Sequence, residues 1–196
     1  MISLVIICND KKEYLHLLQD SLAQGDGVLS EVILVTSDSQ ESVPFLWQGK
    51  QVNVYPSAGN LPAMYNLGMK QAQGEYVLFC KADATLDSEF FVNLKKELPL
   101  HEACYIFTQE SAGCAGENTL GWDYQTDSLY YIAGSFSESR KKRGYNKISI
   151  SEGCWLVKRK VGFFDERFNL ALFEHAAVLS NHCSLKKIPA CKVYYR

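Results

Sequence analysis

The sequence predicts an α/β protein, a mostly parallel central sheet with helices on both faces. Three observations point to it. Short runs of branched aliphatic residues, such as Ile2-Ser3-Leu4-Val5-Ile6-Ile7, lack the polar alternation of a half-exposed strand and read as strands covered on both sides. Between such runs lie segments whose apolar residues recur every three or four positions, the helical period. The chain of 196 residues is 47% hydrophobic and 21% charged with 5 prolines, enough apolar mass for one large core and too little charge for disorder.

Residues 2–7 are the first strand. Asp10-Lys11-Lys12-Glu13 has the spacing of a capping box, and Tyr14, Leu17, Leu18 and Leu22 then share one helical face. Gly25-Asp26-Gly27 ends that helix. Glu31-Val32-Ile33-Leu34-Val35 is a second buried strand, which completes a βαβ unit. Residues 51–55 form a third strand. Residues 59–73 form a helix with Pro62 in its first turn and Met64, Leu67 and Ala72 on one side. Tyr76-Val77-Leu78-Phe79-Cys80 is the fourth strand, and Asp87 or Ser88 caps a helix carrying Phe90, Phe91, Leu94 and Leu98.

The second half has a different texture. Residues 104–108 and 129–133 read as strands, and the glycine-rich stretch 111–127 between them reads as loop. Residues 135–147 are polar and basic, a segment expected to move. Strand character returns at 148–157, residues 170–183 are expected to be helical, and 185–195 is a closing strand broken by Pro189. Neither a repeat nor a linker divides the chain, so residues 1–196 are expected to form one domain.

Composition also narrows the partners. With 20 Lys+Arg against 22 Asp+Glu the formal charge is −2, against the basic excess of a nucleic-acid-binding domain. Arg140-Lys141-Lys142-Arg143 is a local exception. Apolar runs fall far short of the roughly 18 to 20 residues of a membrane span, and residues 2–7 follow no cationic leader region. The 7 cysteines are odd in number and include no C-x-x-C pair, against a disulfide framework or a zinc site. A reducing cytoplasm is the expected setting. Cys8 and Cys80 end apolar runs, the pattern of small buried hydrophobes.

Neither the P-loop pattern nor G-x-G-x-x-G follows the first strand, which disfavours P-loop and dinucleotide enzymes. In an open α/β sheet the ligand crevice lies outside the carboxyl ends of the strands. That directs attention to residues 8–10, 36–39, 57–60 and 81–84.

Three blocks, in order, resemble the family 2 glycosyltransferases, which have the GT-A fold. Residues 3–10, with Glu31 to Val35, look like that family's first two strands. Ala63-Met64-Tyr65-Asn66-Leu67-Gly68, then Ala72-Gln73-Gly74-Glu75-Tyr76-Val77-Leu78-Phe79, is close to its A-R-N-x-G…A-x-G-E-Y-I-x-F block. Glu152 to Arg159, then Gly162-Phe163-Phe164-Asp165-Glu166-Arg167-Phe168 and Phe173-Glu174, is similar to G-x-x-x-x-x-R-R…G-G-F-D-E-x-F…E-D. The resemblance implies a GT-A domain whose residues 1–100 bind the nucleotide and whose residues 101–196 face the acceptor. It implies glycan biosynthesis: a nucleotide diphosphate sugar, a UDP-sugar foremost, passes one sugar with inversion to a hydroxyl of a glycan, lipid-linked or protein acceptor. Cys8, Asn9, Asp38, Asn60, Asn66, Lys81 and Asp83 become the candidate donor contacts.

Several motifs depart from the family. Its D-x-D turn is here Lys81-Ala82-Asp83, so only the last carboxylate remains. Asp83 is then a candidate ligand for Mn²⁺ or Mg²⁺, with the diphosphate and water filling the other positions. Lys81 is a candidate replacement for part of the cation's charge; the plainer alternative makes Asp83 a turn residue. The paired aspartates after the second strand are Thr36-Ser37, with Asp38 next in line. The E-D motif reads Glu174-His175, which puts an imidazole able to accept a hydroxyl proton where the family keeps its base, with Glu174 beside it. A terminal histidine of the family is replaced at Tyr194-Tyr195, and Trp122, Tyr124, Tyr130 and Tyr131 suit either sugar stacking or core packing. The altered motifs leave two readings open: an active transferase, or a GT-A protein that binds nucleotide sugars or acts as a scaffold without catalysis.

Overall fold

A computed structural model of the chain describes residues 1–8, 25, 27–37, 43–47, 49–82, 84–101, 104–111, 119–123, 128–132, 146–147, 154–161 and 185–195. The strands in chain order are β1 (Ile2–Cys8), β2 (Leu29–Thr36), β3 (Phe45–Trp47), β4 (Lys50–Pro56), β5 (Tyr76–Lys81), β6 (Ala84–Leu86), β7 (Cys104–Ser111), β8 (Thr119–Asp123), β9 (Ser128–Ile132), β10 (Asn146–Lys147), β11 (Cys154–Lys158) and β12 (Leu185–Tyr195). The described helices are α1 (Leu61–Gln71) and α2 (Phe90–Lys96), and a 3₁₀ turn at Arg159–Val161 follows β11.

Among the described residues one 9-stranded sheet runs β3-β4-β2-β1-β5-β11-β7-β12-β6. Strands β4, β2, β1 and β5 are mutually parallel, and β7 and β12 share their direction. Strands β3, β11 and β6 run the other way. The predicted α/β class with a mostly parallel sheet is what the chain adopts. In a second, 3-stranded sheet, β10-β8-β9, the strand expected at 129–133 is β9, while β8 and β10 lie in segments read as loop and as mobile. Its β8 falls in the glycine-rich stretch, where cross-strand partners on both sides supply what propensity lacks.

Period-two alternation sorts the core into two layers. Ile2, Leu4, Ile6 and Cys8 of β1 join Leu78 and Cys80 of β5, Leu156 of β11 and Phe90, Phe91 and Leu94 of α2 on one face. Val5, Ile7, Val77, Phe79, Trp155 and Val157 face α1 on the other. There Tyr65 packs edge-on against Phe79, with centroids 5.0 Å apart, and Phe79 stacks on Trp155 at 4.8 Å. Each such buried aromatic contributes about 1.5–3 kcal/mol through burial alone.

Helix α1 starts at Asn60, whose side-chain oxygen accepts the Ala63 N–H at 3.1 Å, and Pro62 sits in the first turn, where no amide is needed. Its buried positions are Pro62, Met64, Tyr65, Asn66, Gly68 and Met69, and the expected Leu67 packs, partly buried, against the same cluster as Met64 and Ala72. Gly68 lets the helix press onto β1, because a Cβ there would overlap Cγ1 of Val5.

Four sequence expectations need correction. The N-cap of α2 is Glu89, which makes no side-chain capping bond; the Asp87 carboxylate instead accepts the Glu89 N–H at 2.9 Å. Leu98 lies beyond the end of α2 and is 40% exposed. Pro189 does not break β12: the register slips between Ile188 and Lys192, and the bulge absorbs the missing donor. β3 and β6 were not expected, because three residues are too short for a periodic signal. The helices expected at 10–24 and 170–183 lie outside the described residues.

Candidate functional site

The parallel strands end level with one another, because the register aligns Cys8 with Thr36, Thr36 with Pro56, and Ile7 with Lys81. Backbone bonds carry the ladder one step further. The Ser37 N–H donates to the Cys8 carbonyl at 3.3 Å, the Ser57 N–H to Thr36 at 2.8 Å, and the Ala82 N–H to Ile7 at 3.0 Å. Residues 37, 57 and 82 therefore leave the sheet along one rim.

Helix α1 begins three residues past Ser57 at its Asn60 cap, so its amino end opens on this same rim. Its first turn carries no acidic residue to neutralise the roughly half positive charge of the macrodipole. Gly59 makes the tight approach possible: a Cβ there would stand 2.5 Å from the Ala63 methyl. Partly exposed Lys81 adds a cation at the end of β5. The rim thus brings together the ends of four parallel strands, the amino end of α1 and one lysine.

Residues 3–162 match the sequence profile of Glycosyl transferase family 2. The chain belongs to this family. Its fold is GT-A, as comparison with solved structures bears out. S. aureus TarS 1-349 in complex with UDP-GlcNAc is 16% identical with a TM-score of 0.62, aligned over 100% of this chain and 58% of TarS 1-349. HddC from Yersinia pseudotuberculosis is 11% identical, TM-score 0.58, over 100% and 93%. The inositol-1-phosphate CTP transferase from T. maritima is 8% identical, TM-score 0.63, over 99% and 88%. This chain therefore spans about three-fifths of TarS 1-349. No curated protein matches it.

Within this family 2 chain, the candidate donor contacts separate by position. Lys81 stands at the rim. The Cys8 side chain is 2% exposed and packs in the α2-side core, so its backbone, not its sulfur, reaches the edge. Period two carried that signal, since Cys8 shares the parity of Leu4 and Ile6. The Asn60 side-chain oxygen is engaged in capping α1. Asn66 is 9% exposed and sits roughly 9 Å further along the helix axis than Asn60. Asn9, Asp38, Asp83, Glu174 and His175 lie outside the described residues; the first three follow Cys8, Ser37 and Ala82 directly in sequence. Among the described residues no group of three or more His, Cys, Asp or Glu is placed to hold a metal ion, and no helix is long and apolar enough to cross a membrane.

Strand β12 reaches this end of the sheet as well. Tyr194 pairs with Thr85 and Tyr195 with Ala84, in the strand that begins three residues after Lys81. The Asp87 N–H donates to the Lys192 carbonyl at 3.0 Å, and the Tyr194 hydroxyl donates to the Asp87 carboxylate at 3.3 Å.

Much of the sequence that carries the family resemblance lies at the opposite end and serves the fold. The Ser3 hydroxyl donates to Glu31 at 2.5 Å and accepts the Gly74 N–H at 2.8 Å, while the Gln73 N–H donates to the same Glu31 oxygen at 2.6 Å. A Cβ on Gly74 would stand 2.7 Å from the Ser3 nitrogen. Arg159 donates from its guanidinium to the Ala72 carbonyl at 2.7 Å, closing the carboxyl end of α1. Lys158 pairs with Glu75 at 3.3 Å, which raises the lysine's pKa, and lies over the Tyr76 ring. Burial holds the Tyr76 hydroxyl above its ordinary value while it donates to the Leu100 carbonyl at 3.0 Å.

Proposed function

We propose that the chain takes a nucleoside diphosphate sugar into the crevice at the rim and transfers a single sugar, with inversion, to an acceptor hydroxyl. The observation that carries this reading is the level ending of β1, β2, β4 and β5 beside the amino end of α1 and Lys81, in a chain of this family. Residues 1–100 supply the donor side and residues 101–196 the acceptor side.

In the proposed reaction the acceptor oxygen attacks the anomeric carbon from the face opposite the diphosphate. The bond to the diphosphate oxygen breaks, and Glu174 or His175 takes the hydroxyl proton. Lys81 and the amino end of α1 meet the charge that grows on the departing phosphate; Mn²⁺ or Mg²⁺, were one bound, would be held through Asp83 and would supply Lewis-acid stabilisation of that phosphate. Asp38 is the proposed contact to the nucleobase. A uridine donor is the first choice, because TarS 1-349, of the same fold, has been crystallised with UDP-GlcNAc and with UDP. An odd number of cysteines without a C-x-x-C pair supports a cytoplasmic setting.

Titration calorimetry with UDP, GDP, CDP and dTDP, each with and without Mn²⁺, tests the reading. We expect one of them to bind in the micromolar range, with Lys81→Ala and Asp83→Ala each weakening it by about tenfold. Absence of heat from all four refutes the donor site. Glu174→Gln or His175→Ala should keep binding and abolish release of the nucleoside diphosphate from the donor sugar. Binding without any turnover across a panel of donors would favour the non-catalytic alternative.

A further inference from the structure

Cys80 and Cys154 face each other directly on the antiparallel neighbours β5 and β11, and their sulfurs are 3.2 Å apart. Both are thiols rather than members of a disulfide, with exposures of 0% and 1%. Directly opposed residues of antiparallel strands have Cα atoms about 4.5–5.5 Å apart, inside the span of roughly 4.4–6.8 Å that a disulfide bridges. Closing the sulfurs to about 2.05 Å asks for a movement of only about 1 Å. The proposed transfer chemistry uses neither thiol.

Their place in the sheet gives the pair a consequence. Cys80 immediately precedes Lys81, and it lies beside Ile6 of β1 near the rim. We infer that Cys80 and Cys154 form a redox couple: a hydroperoxide oxidises them to a cross-strand disulfide, which draws the end of β5 toward β11 and shifts Lys81 and Ala82 where the chain leaves the strand. One thiol takes an oxygen atom from hydrogen peroxide, giving a sulfenic acid and one water. The second sulfur then attacks the first, the hydroxyl leaves as a second water, and the S–S bond replaces two S–H bonds. Two electrons and two protons pass to the peroxide. Burial pushes the Cys154 thiol well above its ordinary range, so it rests as the protonated thiol.

The coupling to donor affinity rests on the proposed donor site; the disulfide and its effect on Lys81 and Ala82 do not. The full chain is treated with hydrogen peroxide, alkylated without reductant and mapped by peptide mass. A linked Cys80–Cys154 species about 2 Da lighter than the dithiol is expected, reversed by dithiothreitol. Amide exchange across residues 81–86 should change on oxidation, and UDP affinity should fall by about tenfold, as an ångström-scale displacement implies. Cys154→Ala should abolish both responses, and Cys80→Ala serves if that variant does not fold. Peroxide treatment that links other cysteines, or none, overturns the inference, as does a linked species with unchanged exchange at 81–86. If the reduced chain binds no UDP, the donor-site reading falls while the linkage and exchange still decide this one.

Discussion

Replacing Gly68 by alanine tests how closely α1 must sit on β1. The added Cβ would overlap Cγ1 of Val5 and stand 3.4 Å from that residue's Cβ and Cγ2. Val5 has no exposed surface and is flanked by β2 and β5, so it has nowhere to retreat. Overpacking of this kind costs up to about 3 kcal/mol, and alanine returns about 1 kcal/mol of helix propensity. The net expectation for Gly68→Ala is a loss of about 2 kcal/mol. Val5→Ala alone removes two methyl groups, about 1.6 kcal/mol of transfer energy plus a cavity term. Together the two changes should interlock, because the new methyl fills the space the valine leaves. The double variant is therefore expected to be about 2 kcal/mol more stable than the two single effects predict. Urea unfolding followed by far-ultraviolet circular dichroism, on the parent and the three variants, measures this. A Gly68→Ala protein that unfolds at or above the parent's midpoint, or single effects that add within about 0.5 kcal/mol, would refute the packing argument.

Other substitutions probe the opposite end of the sheet. Gly74→Ala should cost about 3 kcal/mol, roughly 9 °C in Tm by calorimetry, since its Cβ meets the Ser3 backbone and unseats a buried bond. Arg159→Ala should lower the urea midpoint by the equivalent of about 1–2 kcal/mol, because it uncaps α1 at Ala72. Tyr76→Phe should cost about 1 kcal/mol at neutral pH by leaving the Leu100 carbonyl unpaired. Burial holds the Tyr76 hydroxyl above 10.0, so the unfolded chain loses that proton first. The tyrosine's contribution is whole below pH 10.0 and fades as pH climbs through the higher native value, so the phenylalanine variant should show a flatter alkaline limb in stability against pH.

The parallel strands were legible because β1, residues 32–36 of β2 and residues 76–80 of β5 are buried on both faces and show it as largely apolar runs. The bounds of α1 were legible to within two residues, since Pro62 and the residue before Gly74 mark places where chain geometry, not packing, decides. The sequence hid what depends on a distant partner. Ala84–Leu86 is a strand only because β12 lies beside it, and Phe45–Trp47 only because β4 does. Pro189 misled for the same reason: a proline is hostile to a regular ladder, and only the partner strand shows that the ladder slips there. For the rim, strand ends told which segments to watch, but not which atoms those segments present. Spacing cannot say that Asn60 spends its oxygen on an amide of its own helix, whereas the inward turn of Cys8 was legible from its parity with Leu4 and Ile6.

The pairing of β6 with β12 also sets the order in which the molecule can be completed during synthesis. Asp87 and Tyr194, which bond across that pair, are 107 positions apart in the chain. A nascent polypeptide emerging from the ribosome can assemble β1, β2, β4 and β5 early, yet Ala84–Leu86 must wait for residues 193–195 before it has a neighbour to zip against. The segment that leaves β5 at Lys81 and Ala82 would then settle late in translation, after the bulk of the core is already in place.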